Sequence, residues 1–193
     1  MKDDIAPPSQ ARTHAGATQP AVIVQGAARC FGDDINTDYI ISSRRKRESL
    51  DPLVLKDYLF ETIAPEFAAS VRPADVLVAG KNFGCGSAME VAVTAVVGAG
   101  IRFVIARSFA RTYFRNAINN GLYPIECDTG SIQEGDALTV TLGTTISVQR
   151  PGASEPLIAA PIAPEVLEIL AAGGLVPYLR ERRTFQLQTK RSP

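Results

Sequence analysis

The sequence predicts an α/β domain built around a parallel sheet, and three stretches carry that prediction. DVLVAG (Asp75–Gly80), IRFVIA (Ile101–Ala106) and LYPIEC (Leu122–Cys127) are short apolar runs of the kind that fills strands buried on both faces. Between them lie two segments of helical length and pattern, AMEVAVTAVVGAG and SFARTYFRNAINN. Strand, helix, strand, helix, strand makes a βαβαβ unit, whose strands run parallel.

Residues 1–20 carry Pro, Gly, Ser, Thr and charges without periodicity and read as a disordered leader, which leaves 21–193 as a single domain. AVIVQGAARCF (Ala21–Phe31) reads as a strand or hairpin. GDDINTDYIISSRRKRESLDP (Gly32–Pro52) reads as a long polar loop around a small apolar core of Tyr39, Ile40 and Ile41, and a loop of that length in a compact domain is commonly functional. LVLKDYLFE reads as a helix. After the first apolar run come a glycine loop, GKNFGCGSAME (Gly80–Glu90), and a buried helix ending at Gly98 or Gly100. The next helix starts at Ser108 and stops at Asn-Asn-Gly, with Phe109, Tyr113, Phe114 and Ile118 as core positions. SIQEGDALTVTLGTTISVQR reads as β-rich with a turn at Gly143, and APEVLEILAAGGLVPYLRERR as a C-terminal helix that stops at Gly173-Gly174.

Composition narrows the function. With 46% hydrophobic residues and a formal net charge of zero, the bulk balance gives no signal for nucleic acid. No apolar run is long enough for a membrane span, and MKDDIAPPSQ is not a signal peptide, so a cytoplasmic location is the default expectation. Cys30, Cys85 and Cys127 are far apart and lack CxxC spacing, which argues against a disulfide framework and against a self-contained zinc or iron–sulfur site. The one histidine, His14, falls in the leader. Chemistry in the folded part therefore falls to Ser, Asp, Glu, Lys, Arg or Cys, or to groups on another chain.

The glycine loop has two readings. Ser87-x-x-Glu90 before an apolar run has the form of a capping box, in which the hydroxyl and the carboxylate satisfy early backbone N–H groups. The same geometry suits an anion: a helix N-terminus presents free N–H groups, and glycines let a ligand approach the backbone. Ser87 would then act as a base, assisted by Lys81 and Asn82. Cys85 reads as a small buried residue.

GKNFGCGSAMEVAVTAV followed by GIRFVIARSFARTYFRNAINNGLYPI closely resembles the small subunits of the 3-isopropylmalate dehydratases, in the aconitase family. GDDINTDYIIS resembles the family's opening motif and GGLVPYLR its C-terminal end, so the resemblance runs from about Val22 to Arg180. It implies a swivelling β/β/α domain that caps a large subunit bearing a [4Fe–4S] cluster, with no cofactor in this chain and neither nucleic acid nor membrane as a partner. The implied reaction moves a hydroxyl between adjacent carbons of a small hydroxy-diacid through an alkene. Hydroxide is a poor leaving group and needs a Lewis acid, while the proton beside a carboxylate needs a positioned base.

Carried over by position, the resemblance makes Ser87 the catalytic base. The loop at Gly86 and Ala88, with Asn82, binds substrate, and Thr37, Asp38 and Ser108 support the site from behind. The sequence also departs from the family. Where the family reads Gly-Ser-Ser-Arg-Glu-His, this chain reads Gly86-Ser87-Ala88-Met89-Glu90-Val91, so the arginine that grips a substrate carboxylate is absent. A bidentate clamp is not replaced by a thioether. The basic stretch Ser42–Glu48 offers a substitute: Arg47 occupies the position that reads the substrate's variable group, with Arg44, Arg45 and Lys46 as neighbours. The departure leaves open a homoaconitase-like or methylmalate-type dehydratase subunit with another substrate, or a non-catalytic paralogue acting as a binding module.

Overall fold

The computed structural model describes residues 22–143 and 145–189; the leader predicted for residues 1–20 lies outside them. In chain order the elements are β1 (Val22–Cys30), α1 (Thr37–Ile40), α2 (Ser43–Glu48), α3 (Pro52–Leu55), a 3-10 turn (Lys56–Tyr58), α4 (Phe67–Ser70), β2 (Val76–Ala79), α5 (Val91–Gly98), β3 (Phe103–Ala106), α6 (Arg111–Asn119), β4 (Tyr123–Glu126), β5 (Ala137–Leu142), β6 (Ser147–Gln149), β7 (Leu157–Ile158), α7 (Pro164–Ala171) and α8 (Leu175–Thr189). The strands form one seven-stranded sheet in the order β4-β3-β2-β1-β5-β6-β7. The predicted parallel unit is its first half: β1, β2, β3 and β4 pair in parallel. β1 pairs antiparallel with β5, and β5, β6 and β7 continue antiparallel. Among the described residues no helix is long and apolar enough to cross a membrane.

Every residue of β2 and β3 is buried, because apolar layers cover both faces. Side chains alternate along a strand, so Val76 and Val78 join Phe103, Ile105 and Ile125 on one face, while Leu77 and Ala79 join Val104 and Ala106 on the other. The first face shares its cluster with Leu138, Val140 and Val148 of the antiparallel half and Leu170 of α7, so the sheet curls around it. On the second face lies α5, whose sequence VAVTAVVG is apolar nearly all round because it is enclosed by the sheet on one side and by α3 on the other. Gly98 permits that contact: a Cβ there would lie 2.4 Å from the Pro52 carbonyl oxygen.

Several predicted boundaries move. The segment Ala21–Phe31 is one strand within its described part, not a hairpin. Gly32–Pro52 is not a loop throughout, since it contains α1 and α2. The helix expected over Leu53–Glu61 is broken into α3 and the 3-10 turn. Asp51 caps α3 by accepting from the Leu53 N–H at 2.9 Å, and Phe60 then takes a left-handed φ of 55° that turns the chain. There the Phe60 N–H reaches the Ile40 carbonyl at 2.9 Å, and its ring stacks on Phe31 at 4.1 Å. α6 starts at Arg111 rather than Ser108, whose hydroxyl is engaged elsewhere, and Phe109, Phe114 and Ile118 are only partly buried beside the buried Tyr113. Gly173 and Gly174, at φ 86° and 120°, end α7 as expected, but the chain resumes as α8.

The two faces of the sheet set a contrast in stability. Ile105→Ala, at a fully buried position, is expected to lower unfolding free energy by about 2–5 kcal/mol. Ile23→Ala, at a position 62% exposed on the same sheet, is expected to change it by less than about 0.5 kcal/mol. Urea unfolding of both variants measures the difference, and equal losses would mean that the buried faces are misassigned.

Candidate active site

The candidate site forms where β1 and β2 end side by side. The chain leaving β1, Gly32–Thr37, runs beside the glycine loop and is laced to it. The Gly80 N–H donates to the Gly32 carbonyl (3.1 Å), Asp34 N–H to Lys81 (2.8 Å), Gly84 N–H to Ile35 (2.8 Å) and Thr37 N–H to Cys85 (2.8 Å). Side chains add to the lacing. Asp33 accepts from the Lys81 N–H at 2.7 Å, and the Asn82 amide donates to Asp34 at 2.8 Å. From the β3 side, the Ser108 hydroxyl oxygen accepts from the Asn82 N–H at 2.9 Å, and the Phe83 N–H donates to the Ser108 carbonyl at 3.0 Å. Ser108 therefore does not begin a helix; it holds the glycine loop. Asp34 and Asn82, paired to each other, both sit at positive φ, 56° and 58°, where Asx residues are tolerated best among non-glycines.

Two glycines of the loop are dictated by close approach. Gly84, at φ 75°, lies against the buried Tyr113 ring, where a Cβ would come within 2.2 Å of it. Gly86, at φ 91°, faces the Asn36 side chain, where a Cβ would come within 2.4 Å. Asn36 is committed in turn, since its carboxamide oxygen accepts from the Asp38 N–H at 2.9 Å and caps α1.

Ser87 follows on this support. The buried Thr37 donates its hydroxyl to the Ser87 carbonyl at 3.0 Å, and the Met89 N–H donates to the same carbonyl at 2.8 Å. The Ser87 side chain is exposed, and its hydroxyl has no partner among the described residues. The N–H groups of Gly86, Ser87 and Ala88 also donate to no protein acceptor among the described residues. The capping box is absent: α5 begins at Val91, its N-cap is Glu90 without a side-chain cap bond, and the Glu90 carboxylate instead accepts from Asn120 at 3.2 Å. Cys85 is half-buried rather than buried, and burial, with the Asp34 charge second, raises its thiol pKa above the ordinary value. Met89 is 4% exposed and packs in the apolar cluster with Ile40, Phe83 and Val93, so its side chain turns away from the solvent that Ser87 faces.

The basic stretch forms α2, which starts where Asp38 accepts from the Ser43 N–H at 2.9 Å. Its four cations divide into two pairs. Arg45 makes a two-pronged contact with Glu61 (3.1 and 2.8 Å), reaches Glu48 at 2.9 Å and stacks on Tyr58 with its guanidinium carbon 3.7 Å from the ring centroid. Hydrogen bonds from Arg45 hold the Glu61 carboxyl below the usual carboxylate range, and those from Arg45 and then Arg44 do the same for Glu48. Arg44 pairs with Glu48 at 3.1 Å. Lys46 and Arg47 are exposed and have no partner among the described residues. Thr37 and Asp38 are thus consecutive residues that fix Ser87 on one side and α2 on the other.

Sequence reasoning missed Asp33, Glu61 and Tyr58. Glu61 and Tyr58 lie in the segment read as one helix, Leu53–Glu61, which the structure breaks. Among the described residues no group of three or more His, Cys, Asp or Glu side chains could hold a metal ion.

The family model described as the aconitase C-terminal domain matches residues 60–130. The chain is 42% identical over 175 residues to the methanogen homoaconitase small subunit of Methanocaldococcus jannaschii, covering 86% of this chain and 96% of that protein. It is 43% identical over 159 residues to the 3-isopropylmalate dehydratase small subunit of Methanosarcina mazei, covering 82% of this chain and 97% of that one. The crystal structure of 3-isopropylmalate dehydratase (leuD) from Methanocaldococcus jannaschii superposes with a TM-score of 0.73 at 40% identity, covering 87% of this chain and 99% of that chain.

The loop geometry separates two glycines. Gly86→Ala, which combines left-handed backbone with a collision at Asn36, is expected to destabilise the chain by about 1–3 kcal/mol. At Gly32 a Cβ would meet nothing within 4 Å, and Gly32→Ala is expected to stay within about 0.5 kcal/mol. Urea unfolding of the two variants distinguishes them, and a tolerated Gly86→Ala would mean that the loop does not hold this conformation in solution.

Proposed function

We infer the function of this chain from its family: it belongs to the small subunits of the 3-isopropylmalate dehydratases, within the aconitase family. It is the small subunit of a heteromeric hydro-lyase that works with a large subunit. The reaction we assign is the isomerisation or dehydration of a small hydroxy-diacid through an alkene. We assign the [4Fe–4S] cluster that the family implies to the large subunit; among the described residues of this chain no group of three or more His, Cys, Asp or Glu side chains could hold a metal ion.

In this reading Ser87 is the base that takes the proton from the carbon beside a substrate carboxylate. The observation that carries it is the isolation of the Ser87 hydroxyl: exposed, without a partner among the described residues, on a backbone fixed from below by Thr37. A serine hydroxyl is a weak base until a positive field lowers its pKa. The N-terminal end of α5 gives a field of that sign. In this reading the free N–H groups at Gly86 and Ala88, with the Asn82 side chain, receive a substrate oxygen. Thr37, Asp38 and Ser108 position these groups rather than touch substrate.

The substrate we assign is a hydroxy acid whose variable group is anionic or strongly polar. Met89 in the core leaves no cation on the loop at the family's arginine position, and Arg47 and Lys46 are the cations of α2 without a partner among the described residues. Burial of Met89 is also the one observation that favours a second reading, a binding module that has lost turnover. A well-folded complex with the large subunit that leaves a panel of hydroxy-diacids and triacids unchanged would establish that alternative.

With the complex reconstituted anaerobically and alkene absorbance followed, Ser87→Ala is expected to lower kcat by about 10²–10⁴-fold, a range typical of losing a general base, without altering the fold. Retained turnover would remove Ser87 as the base. Arg47→Ala is expected to raise KM about ten- to hundredfold for the preferred acid, matching loss of one charge-assisted contact, and to change kcat less. An unchanged substrate profile would make α2 a surface feature.

A further inference from the structure

We propose that Arg45, Glu61 and Tyr58 form a clamp that fixes α2, so that Arg45 and Glu61 are positioning residues for substrate selection and not substrate ligands themselves; this rests on the reading of α2 as the substrate-reading element. A helix of six residues is too short to persist on its own, and α2 carries Arg44, Arg45, Lys46 and Arg47 in succession, which repel one another. Its order must come from outside. The N-terminal end is held by Asp38, through the Ser43 N–H at 2.9 Å, and by Ser42, whose hydroxyl donates to Glu61 at 3.2 Å. In the middle sits Arg45, with its side chain only 23% exposed. All three guanidinium nitrogens are engaged: Nε and Nη2 on Glu61, Nη1 on Glu48, with the plane stacked on Tyr58. Tyr58 ends the 3-10 turn just before Phe60 and Glu61 follows Phe60 directly, and Phe60 is anchored in the core by Phe31 and Phe67. The clamp therefore connects α2 to the buried aromatic cluster of Phe31, Phe60 and Phe67.

The arrangement separates two tasks among neighbouring like charges. Arg45 neutralises itself against Glu61 and cannot also hold a substrate carboxylate without releasing it. Arg47, two residues on, carries no partner among the described residues and depends on Arg45 for its place. A planar guanidinium that bonds a carboxylate with two prongs and stacks on a ring fixes orientation as well as distance, which an ammonium group cannot do.

Trypsin reads the clamp directly, because α2 contains four successive cleavage sites and Glu61→Gln adds or removes none. In the full chain, Glu61→Gln is expected to raise the rate of cleavage within residues 44–47 at least tenfold, with circular dichroism unchanged. In the complex with the large subunit, the same variant is expected to raise KM for the preferred acid at least fivefold and to flatten the ratio of kcat/KM between competing acids, with kcat within about threefold. The charge-exchanged pair Arg45→Glu with Glu61→Arg is expected to recover only part of the KM, because it restores the ion pair but not the stack on Tyr58 or the contact with Glu48. Cleavage unchanged in Glu61→Gln overturns the clamp and leaves the reading of α2 intact. Faster cleavage with unchanged KM overturns the proposed role in selection if Arg47→Ala does alter the substrate profile. If Arg47→Ala also leaves the profile unchanged, the reading of α2 falls, and this inference with it.

Discussion

The parallel hydrogen-bond ladder does not stop where the strands do, and the site depends on that continuation. Beyond β1 and β2 the Gly32–Thr37 segment and the glycine loop exchange four backbone bonds. On the loop's other side, Arg107 N–H donates to Gly80, Phe83 N–H to Ser108 and Ala110 N–H to Phe83, at 2.9–3.0 Å. A loop bonded on both edges behaves as part of the sheet. This gives Ser87 a fixed address although it is exposed, and it places the start of α2 two short steps away, through Thr37 and Asp38.

Such lacing restricts what the sequence can be. An irregular backbone bonded on two sides cannot relax, so its unusual torsions are built in. Gly84 and Gly86 take left-handed angles under a ring and beside an amide, and Asp34 and Asn82 take them as a hydrogen-bonded pair. Non-glycine residues at positive φ cluster where surrounding contacts over-determine them. Phe60 shows the same logic away from the loop: a left-handed phenylalanine is tolerated because its ring is enclosed by Phe31 and Phe67 and its N–H is taken by Ile40.

The parallel half of the fold was legible because β2, β3 and β4 are apolar runs with little else they can be. The antiparallel half was legible as β-rich only, since pairing β1 with β5 across more than a hundred residues leaves no mark on either segment. The helix starts were misread at Ser87 and Ser108. Serine before an apolar run signals a cap, but the Ser87 hydroxyl bonds no early N–H and α5 starts only at Val91, while the Ser108 hydroxyl oxygen accepts from the Asn82 N–H of the glycine loop. At Ser108 local preference gave way to a tertiary contact. The basic stretch was legible as charge, but its division into a clamped arginine and two unpaired cations was not, because that depends on Glu61, sixteen residues from Arg45. Motif resemblance located Ser87 and Thr37; only geometry showed that the two are bonded.

The departure at Met89 gains meaning from this division. In the proposed function the family's carboxylate-gripping charge would sit on the rigid segment leading into α5, yet here that position is an apolar side chain in the core. The unpaired positive charge lies instead on α2, a short exposed helix whose order is borrowed from an ion-pair clamp. Charges on such a surface are screened by water and salt, and the Debye length at physiological ionic strength is only about 8 Å. The same charges act far more strongly once a second protein surface covers them and lowers the local dielectric. In the proposed reading, a substrate grip built this way is weak in the free chain and gains strength when the large subunit covers it. On that reading selection is a property of the complex, and Glu61, which holds α2 through Arg45, acquires a share in it.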